Sequence, residues 1–204
     1  GWTVPQHGDT VTVRYNVFGD RLDGTYMAID PSHAHINMPA AILWARGLEL
    51  RPVILAFDLS AHEGWQVATQ LHAASRPFQY TAPNLQYLMD SPAELGPIST
   101  REFVVGGRTF RFSAHHTGTA AELEGLVKDV EKIIRREAEI FGELPAYEPG
   151  YYTFLADYLP YAVGDGMEHR NSTVMTSPGS IRGHRTDRRR VDRPQLRLPG
   201  GTRL

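Results

Sequence analysis

The sequence predicts a mainly β protein with an α+β C-terminal part, and three observations support this fold class. Apolar and polar residues alternate in short stretches before residue 117, as in residues 11–17 (VTVRYNV). Two apolar stretches flank Gly106-Gly107, which is typical of a β-hairpin. A single stretch beginning at Thr119 has the spacing of an amphipathic helix. The first 116 residues are therefore predicted to form a β-sandwich-like domain.

The individual strands follow from the same alternation. Residues 11–17 and 53–57 are predicted as strands of the N-terminal domain, and residues 103–105 and 108–112 as the two arms of the hairpin. Beyond the helix, two further strands are predicted at residues 151–155 and 167–175. The predicted domains are therefore residues 1–116, residues 117–180 with the helix and the later strands, and an atypical tail at 181–204.

The helix has clear start and stop signals. Thr119 and Glu122 form a capping box, in which each side chain can bond the backbone N–H of the other. Gly142 and Pro145 mark the end. The apolar residues that share one face are Leu123, Leu126, Val127, Val130, Ile133, Ile134 and Phe141.

Composition excludes several classes of protein. The chain has 204 residues, of which 41% are hydrophobic and 22% charged, as in an ordinary globular protein. The absence of cysteine excludes disulfides, cysteine-ligated zinc and thiol nucleophiles. No apolar run reaches the ~18 residues that would span a membrane, and no signal peptide is visible. We therefore expect no membrane partner.

Charge is distributed unevenly. Residues 182–204 contain eight Arg and two Asp and carry +6, whereas the other 181 residues carry −8. The basic tail has no aromatic residue that could stack on a base. Because the rest of the chain is acidic, we expect no nucleic-acid partner.

Contiguous motifs for metals and nucleophiles are missing. The one His-Glu pair, His62-Glu63, has Gln66 where HExxH requires a second histidine. His33 and His35 alternate in SHAHIN but are better explained as an exposed or capped pair, and the adjacent His115 and His116 should point to opposite faces. No G-x-S-x-G or phosphate-binding loop occurs either. The sequence therefore predicts no metal site and no catalytic residue.

The stretch GDGMEHRNST (164–173) offers a different chemistry. Gly164 and Gly166 allow close approach of another backbone, and an exposed strand edge can pair with an extended peptide. The Glu168 carboxylate could then bind the α-ammonium group of that peptide by a charge-assisted hydrogen bond. The alternative from the residues alone is a solvent-facing Glu beside a turn.

Five segments carry a resemblance to a known family, namely WQVAT at 65–69 with Leu71, LMDSPAELG at 88–96, FGELP at 141–145, YTFL at 152–155 and GMEHRNS at 166–172. Taken together, they resemble the glycyl aminopeptidase family, which are zinc metallopeptidases of the thermolysin-like superfamily that often carry a PDZ domain. The segment at 166–172 resembles the family's G-[LM]-E-H-x-[ND]-S motif, the counterpart of the G-x-M-E-N exopeptidase motif of related aminopeptidases. The resemblance covers roughly residues 2–180.

The resemblance implies an architecture and a role. Residues 1–116 would form the family's N-terminal β-domain, and residues 117–180 the opening helix and strands of a thermolysin-like catalytic domain. Glu168 would bind the free amino group of a peptide substrate, while the backbone around Gly166 and Met167 would pair with that peptide. In the full-length family, zinc held by HExxH and a downstream Glu would activate the water.

One departure from the family limits this role. No HExxH follows the GMEH segment, and His184 is the only histidine in the tail. We therefore expect no cofactor in this chain, with zinc expected in the full-length family, and no hydrolysis by this chain alone. A deliberate fragment, a natural truncation and a frame shift after about Ser180 remain open as explanations, and the abrupt change in composition favours the frame shift.

The leading hypothesis is thus an inactive N-terminal part of a zinc aminopeptidase whose partner is a peptide with a free N-terminus. A non-catalytic peptide-binding module and an inert β-sandwich interaction domain are the alternatives. An incomplete catalytic domain would expose apolar surface, so self-association is also predicted. Family analogy implies a periplasmic or extracellular location.

Overall fold

The computed structural model describes residues 1–181 and shows a mainly β protein. The helices are α1 (Met38–Ala41), α2 (Leu85–Met89) and α3 (Ala120–Phe141). The strands are β1 (Met27–Ile29), β2 (Ala34–Ile36), β3 (Val53–Ala56), β4 (Gln66–Thr69), β5 (His72–Ala73), β6 (Gln79–Ala82), β7 (Ala93–Gly96), β8 (Ser99–Val105), β9 (Arg108–His116), β10 (Tyr151–Tyr158), β11 (Asp165–Glu168) and β12 (Ser172–Ser177).

The strands form three sheets. An antiparallel four-stranded sheet has the order β1-β2-β7-β4, and a three-stranded sheet has the order β3-β6-β5. The five-stranded sheet has the order β11-β12-β10-β9-β8, in which β10 runs parallel to both of its neighbours. A parallel pair requires a long crossover, and α3 supplies it between β9 and β10. The predicted fold class, mainly β with an α+β C-terminal part, is confirmed.

The hairpin and the third strand form as predicted. β8 and β9 pair around Gly106 and Gly107, whose φ angles of 55° and 75° have the positive sign that a tight type I′ turn requires. β3 covers most of residues 53–57. The five-stranded sheet contains strands from both sides of residue 117. The domain boundary predicted near that position stays a prediction.

Two strand predictions were wrong in part or in full. Residues 11–17 form no strand, and Val13 and Tyr15 are 57% and 48% exposed. Alternation alone does not make a strand, because the ladder needs a partner, and the nearest pairing is a single bridge from Asp20 to Ala28. Residues 167–175 form two strands rather than one, because the chain turns between Glu168 and Ser172.

α3 packs on one face of the five-stranded sheet. Its buried residues Leu123 and Val127 contact Phe112 of β9 and Tyr158 of β10. Ile181 is buried in the same core, whereas the remainder of the predicted tail, 182–204, lies outside the described residues. Within residues 1–181, no helix has the length and apolar character needed to cross a membrane.

The predicted capping box at the start of α3 is present. The Thr119 side chain accepts a hydrogen bond from the Glu122 N–H, the Glu122 carboxylate accepts one from the Thr119 N–H, and Gly142 ends the helix at φ 83°. We expect Thr119→Ala to lower the free energy of unfolding by about 1 kcal/mol, because the N–H groups of the first turn lose an acceptor. Urea denaturation measures this loss.

The exposed Thr117 lies two residues before the cap and provides a matched control. Thr117→Ala should change the free energy of unfolding by less than about 0.5 kcal/mol, and Thr119→Ser should restore most of the stability. Equal effects of Thr117→Ala and Thr119→Ala would contradict the role assigned to the cap.

Candidate functional site

β11 lies at the end of the five-stranded sheet and pairs only with β12 among residues 1–181. The His169 N–H donates to the Ser172 carbonyl at 2.8 Å. Paired and outward-facing residues alternate along an antiparallel ladder. The backbone groups of Met167 therefore point toward β12, whereas those of Gly166 and Glu168 point away from it. The outer edge of β11, defined as these outward groups of Gly166 and Glu168, can receive another strand.

The two faces of β11 differ. Met167 packs against Leu155 and Val174, and Asp165, on the same face, accepts a hydrogen bond from the Gly24 N–H at 3.1 Å. Glu168 is exposed on the opposite face, across from Thr173. The structure places Gly166, Met167 and Glu168 on one strand, and their predicted role in binding a peptide stays a prediction.

A groove adjoins the Glu168 face. It has a volume of ≈ 750 Å³ and lies between the end of α3 and the sheet, with Thr173, the cross-strand partner of Glu168, in its wall. Burial raises the pKa of Tyr152 in the same wall, and the Glu168 carboxylate adds to this shift, which places that charge close to the groove. The acidic residues that line the groove are Glu137, Glu143 and Glu148.

The turn after β11 is held by the segment that follows α2. His169 Nδ1 lies 3.0 Å from Asp90 Oδ1, and the Arg170 N–H donates to Asp90 Oδ2 at 3.0 Å. The Asp90 carboxylate thus fixes two successive residues of the turn. His169, which received no role from the sequence, fixes the end of β11.

Gln70 joins the same turn to two other segments. Its Oε1 accepts hydrogen bonds from the Asn171 N–H at 2.9 Å and the Ser172 hydroxyl at 2.8 Å. Its Nε2 donates to the Asp90 carbonyl at 2.6 Å and to Ser91 Oγ at 3.0 Å. Gln70 is fully buried, and three of its four bonds are buried, while the bond to the Asp90 carbonyl is partly buried.

Glu148 completes the support of the turn. The Asn171 side chain donates to Glu148 Oε2 at 2.7 Å, and Arg170 Nη1 donates to Glu148 Oε1 at 2.8 Å. The hydrogen bond from Asn171 is the largest cause that lowers the pKa of Glu148, and Arg170 adds to it. Glu148, which lines the groove, therefore stays ionised at neutral pH.

A second group of polar residues lies inside the protein, between the four- and five-stranded sheets. His33, Glu94, His115 and Asp157, named here the polar cluster, each offer one ligand atom, and these atoms lie within 4.8 Å of one another. Their exposures are 0%, 0%, 9% and 1%. His33 and Glu94 come from residues next to or in β2 and β7, whereas His115 and Asp157 face each other on β9 and β10.

Burial dominates the protonation of the polar cluster. Burial, followed by the neighbouring Glu94 carboxyl, raises the pKa of Asp157 to about 9, and burial raises the pKa of Glu94 well above its usual value. Burial lowers the pKa of His115 to about 4 and lowers that of His33. Without an ion, burial therefore favours the uncharged form of all four side chains.

Sequence reasoning did not assemble this cluster. His33 and His35 are both buried rather than exposed, and the backbone N–H of His33 is capped by Asp30. His115 and His116 do face opposite sides of β9, since His115 enters the cluster and His116 accepts from the Gly118 N–H. The one available signal was the alternation in SHAHIN, and the carboxylate partners lie roughly 60 or more residues further along the chain.

The comparisons with known proteins agree with the predicted resemblance. Residues 1–97 match the model of the peptidase M61 N-terminal domain. A crystal structure of an aminopeptidase N family protein from Idiomarina loihiensis is similar to this chain, with a TM-score of 0.69 and 25% sequence identity. The match covers 78% of this chain and 27% of that protein. No curated protein matches. Residues 1–97 are therefore similar to the peptidase M61 N-terminal domain, and the fold is similar to the corresponding part of an aminopeptidase N family protein.

Proposed function

We propose that this chain is the part of an M61 glycyl-aminopeptidase-like zinc peptidase that binds the N-terminus of a peptide substrate at the outer edge of β11. The observation that carries the proposal is the position of Glu168. Its carboxylate is exposed at the end of an edge strand whose outward backbone groups have no strand partner among residues 1–181.

The edge and the carboxylate would act together. A peptide lying along β11 would exchange backbone hydrogen bonds with Gly166 and Glu168, as in β-strand addition. Its α-ammonium group would donate to the Glu168 carboxylate, and a hydrogen bond to a charged group contributes about 1.5–3 kcal/mol. The acidic wall of the adjoining groove favours a cation, which supports an amino terminus rather than a carboxyl terminus at this position.

Hydrolysis is assigned to the full-length family rather than to this chain. Zinc would there polarise the peptide carbonyl and activate water. The sequence contains no HExxH, and the residues around β11 supply one histidine, His169, whose Nδ1 is engaged by Asp90. These residues do not fit a catalytic zinc, so no hydrolytic step is derived for them. Family analogy supports export to the periplasm or the cell exterior.

A peptide titration tests the role of Glu168. Short peptides with free and with acetylated N-termini are titrated calorimetrically into the wild type, Glu168→Gln and Glu63→Gln, in which the exposed Glu63 serves as a matched control. Glu168→Gln and acetylation should each weaken binding at least tenfold, since the bond is worth about 1.4 kcal/mol or more. Glu63→Gln should bind as the wild type does.

Titrating acetylated peptides into Glu168→Gln gives a stricter test than either change alone. Because acetylation and Glu168→Gln remove the same bond, Glu168→Gln should leave the affinity for acetylated peptides unchanged. Binding that ignores the state of the amino terminus would contradict the proposal and favour the alternative, a non-catalytic module that reads only the peptide backbone. No binding of either peptide would favour an interaction domain that binds no peptide.

Exposed apolar side chains at the end of α3 support the proposal that the chain associates with itself. Ile140 and Phe141, at the end of α3, are each 77% exposed. Adjacent large apolar side chains at this exposure form a surface that a second molecule can cover. Sedimentation of the chain over a range of concentrations would measure it.

A further inference from the structure

We propose that the polar cluster, formed by His33, Glu94, His115 and Asp157, is a structural site for one divalent metal ion, with Zn²⁺ as the best fit. The ion would join the four-stranded sheet to the five-stranded sheet. This site is separate from the peptide-binding edge and does not depend on the function proposed for it.

Geometry is the first argument. Around a tetrahedral zinc ion with bonds of about 2.0–2.2 Å, neighbouring ligand atoms lie about 3.3–3.5 Å apart. In the polar cluster His115 Nδ1 and Asp157 Oδ1 are already 3.8 Å apart, and the full set of ligand atoms lies within 4.8 Å. The ligand atoms therefore exceed the spacing of a closed tetrahedral shell by no more than about 1.5 Å.

Unsatisfied atoms are the second argument. The buried atoms His33 Nε2 and His115 Nδ1 have no hydrogen-bond partner, and Glu94 Oε1 and Asp157 Oδ1 have none unless a proton on one carboxyl group bonds the two side chains to each other. A buried polar group without a partner is expensive, and native structures rarely leave one. A proton shared by the two carboxyl groups leaves both imidazole nitrogens without a partner, whereas one ion that accepts electron pairs from all four atoms satisfies them together.

The surrounding hydrogen bonds are the third argument. His33 Nδ1 lies 3.4 Å from Asp30 Oδ2, so the ring can donate to a carboxylate and leave Nε2 free as a ligand atom. His35 Nδ1 lies 3.0 Å from Glu94 Oε2, which leaves Oε1 free in the same way. Metal-binding histidines and carboxylates are typically oriented by such outer partners.

Charge and ligand type select the ion. Two ionised carboxylates balance a divalent cation, so the loaded site is neutral and can remain buried. Imidazole nitrogen suits zinc better than magnesium or calcium, and four protein ligands without an open position are typical of structural zinc sites. The ion would replace the protons that burial otherwise keeps on the carboxyl groups.

The position of the site gives it a consequence for the fold. His33 and Glu94 belong to the part of the chain that contains the four-stranded sheet, while His115 and Asp157 belong to adjacent strands of the five-stranded sheet. A metal bound by all four connects these two sheets directly. Because binding to the folded state alone stabilises it, metal should raise the unfolding temperature.

Metal content and thermal unfolding of the full chain test the proposal. The protein is freed of metal with a chelator, dialysed and titrated with Zn²⁺, with Mn²⁺ and Mg²⁺ in parallel. We expect one tightly held Zn²⁺ per chain by elemental analysis, and a rise in Tm of about 5–10 °C at a hundredfold excess over Kd. Mg²⁺ should produce no comparable shift.

Three variants locate the ion. Asp157→Asn removes one ligand with little change in shape and should abolish stoichiometric zinc, while His35→Gln alters an outer partner and should weaken zinc binding about 10–100-fold. His116→Gln changes the neighbouring imidazole on the opposite face of β9 and should retain one zinc per chain.

Several results would overturn the proposal, and the first of them requires only the wild-type protein. Wild-type protein with a folded circular dichroism spectrum, but no bound zinc and no zinc-dependent change in Tm, would leave a protonated carboxyl pair bridged by water as the explanation. Zinc that stays stoichiometric in folded Asp157→Asn, or that is lost in His116→Gln, would place the ion elsewhere.

Discussion

Gln70→Leu is expected to lower the free energy of unfolding by about 3–5 kcal/mol, because it removes a side chain that makes four hydrogen bonds, three of them buried. Leucine has a similar volume, so the loss is chiefly polar. The Asn171 N–H and the Ser172 hydroxyl lose their acceptor at positions that are 2% and 0% exposed. Each unsatisfied buried group costs about 1–3 kcal/mol. Urea denaturation of the purified variant measures the sum.

Gln66→Leu is the matched control, since Gln66 lies on β4 four residues earlier and is exposed. It should change the free energy of unfolding by no more than about 0.5 kcal/mol. If Gln70→Leu also cost less than about 1 kcal/mol, the four bonds would contribute little, and the turn after β11 would have to be held by Asp90 and Glu148 alone.

Gln70 connects three of the segments on which the family resemblance rests. The WQVAT segment leads directly to Gln70, the LMDSPAELG segment contains Asp90 and Ser91, and the GMEHRNS segment contains Asn171 and Ser172. The hydrogen bonds of Gln70 connect all three segments. The motif at β11 therefore depends on residues about 80–100 positions earlier to hold its turn.

The elements that could be predicted from the sequence are those whose stability is local. The capping box of α3 and the Gly106-Gly107 hairpin each need only residues within a few positions of one another. The strand predicted at residues 11–17 failed because its pattern states which side chains alternate but not whether a neighbouring strand is available. Sheet order could not be predicted for the same reason.

The two candidate sites also differ in how far the sequence could predict them. Glu168 could be proposed as a candidate because a carboxylate and two glycines stand close together in one stretch, whereas the position of β11 at the edge depends on the order of the sheet. The polar cluster could not, because its members are brought together by the pairing of β9 with β10 and by the packing of two sheets. Histidine spacing along the chain carries no information about such contacts.

Phe112→Ala is expected to destabilise the protein by about 3–5 kcal/mol, because it opens a cavity beneath α3. Phe112 is fully buried on β9, its ring centroid lies 5.9 Å from that of Phe154, and it belongs to the core that contains Leu123 and Val127. For a chain of this length the loss corresponds to a fall in Tm of roughly 10 °C or more.

The comparison with Phe141→Ala makes this a test of packing rather than of residue type. Phe141 is 77% exposed at the end of α3, so its truncation opens no cavity and should change stability by about 0.5 kcal/mol or less. Phe112→Leu, which keeps most of the volume, should cost less than Phe112→Ala. Amide exchange should accelerate along α3 in Phe112→Ala, because the helix loses the surface on which it packs. Equal stability losses for Phe112→Ala and Phe141→Ala would contradict the assignment of Phe112 to the core that joins α3 to the five-stranded sheet.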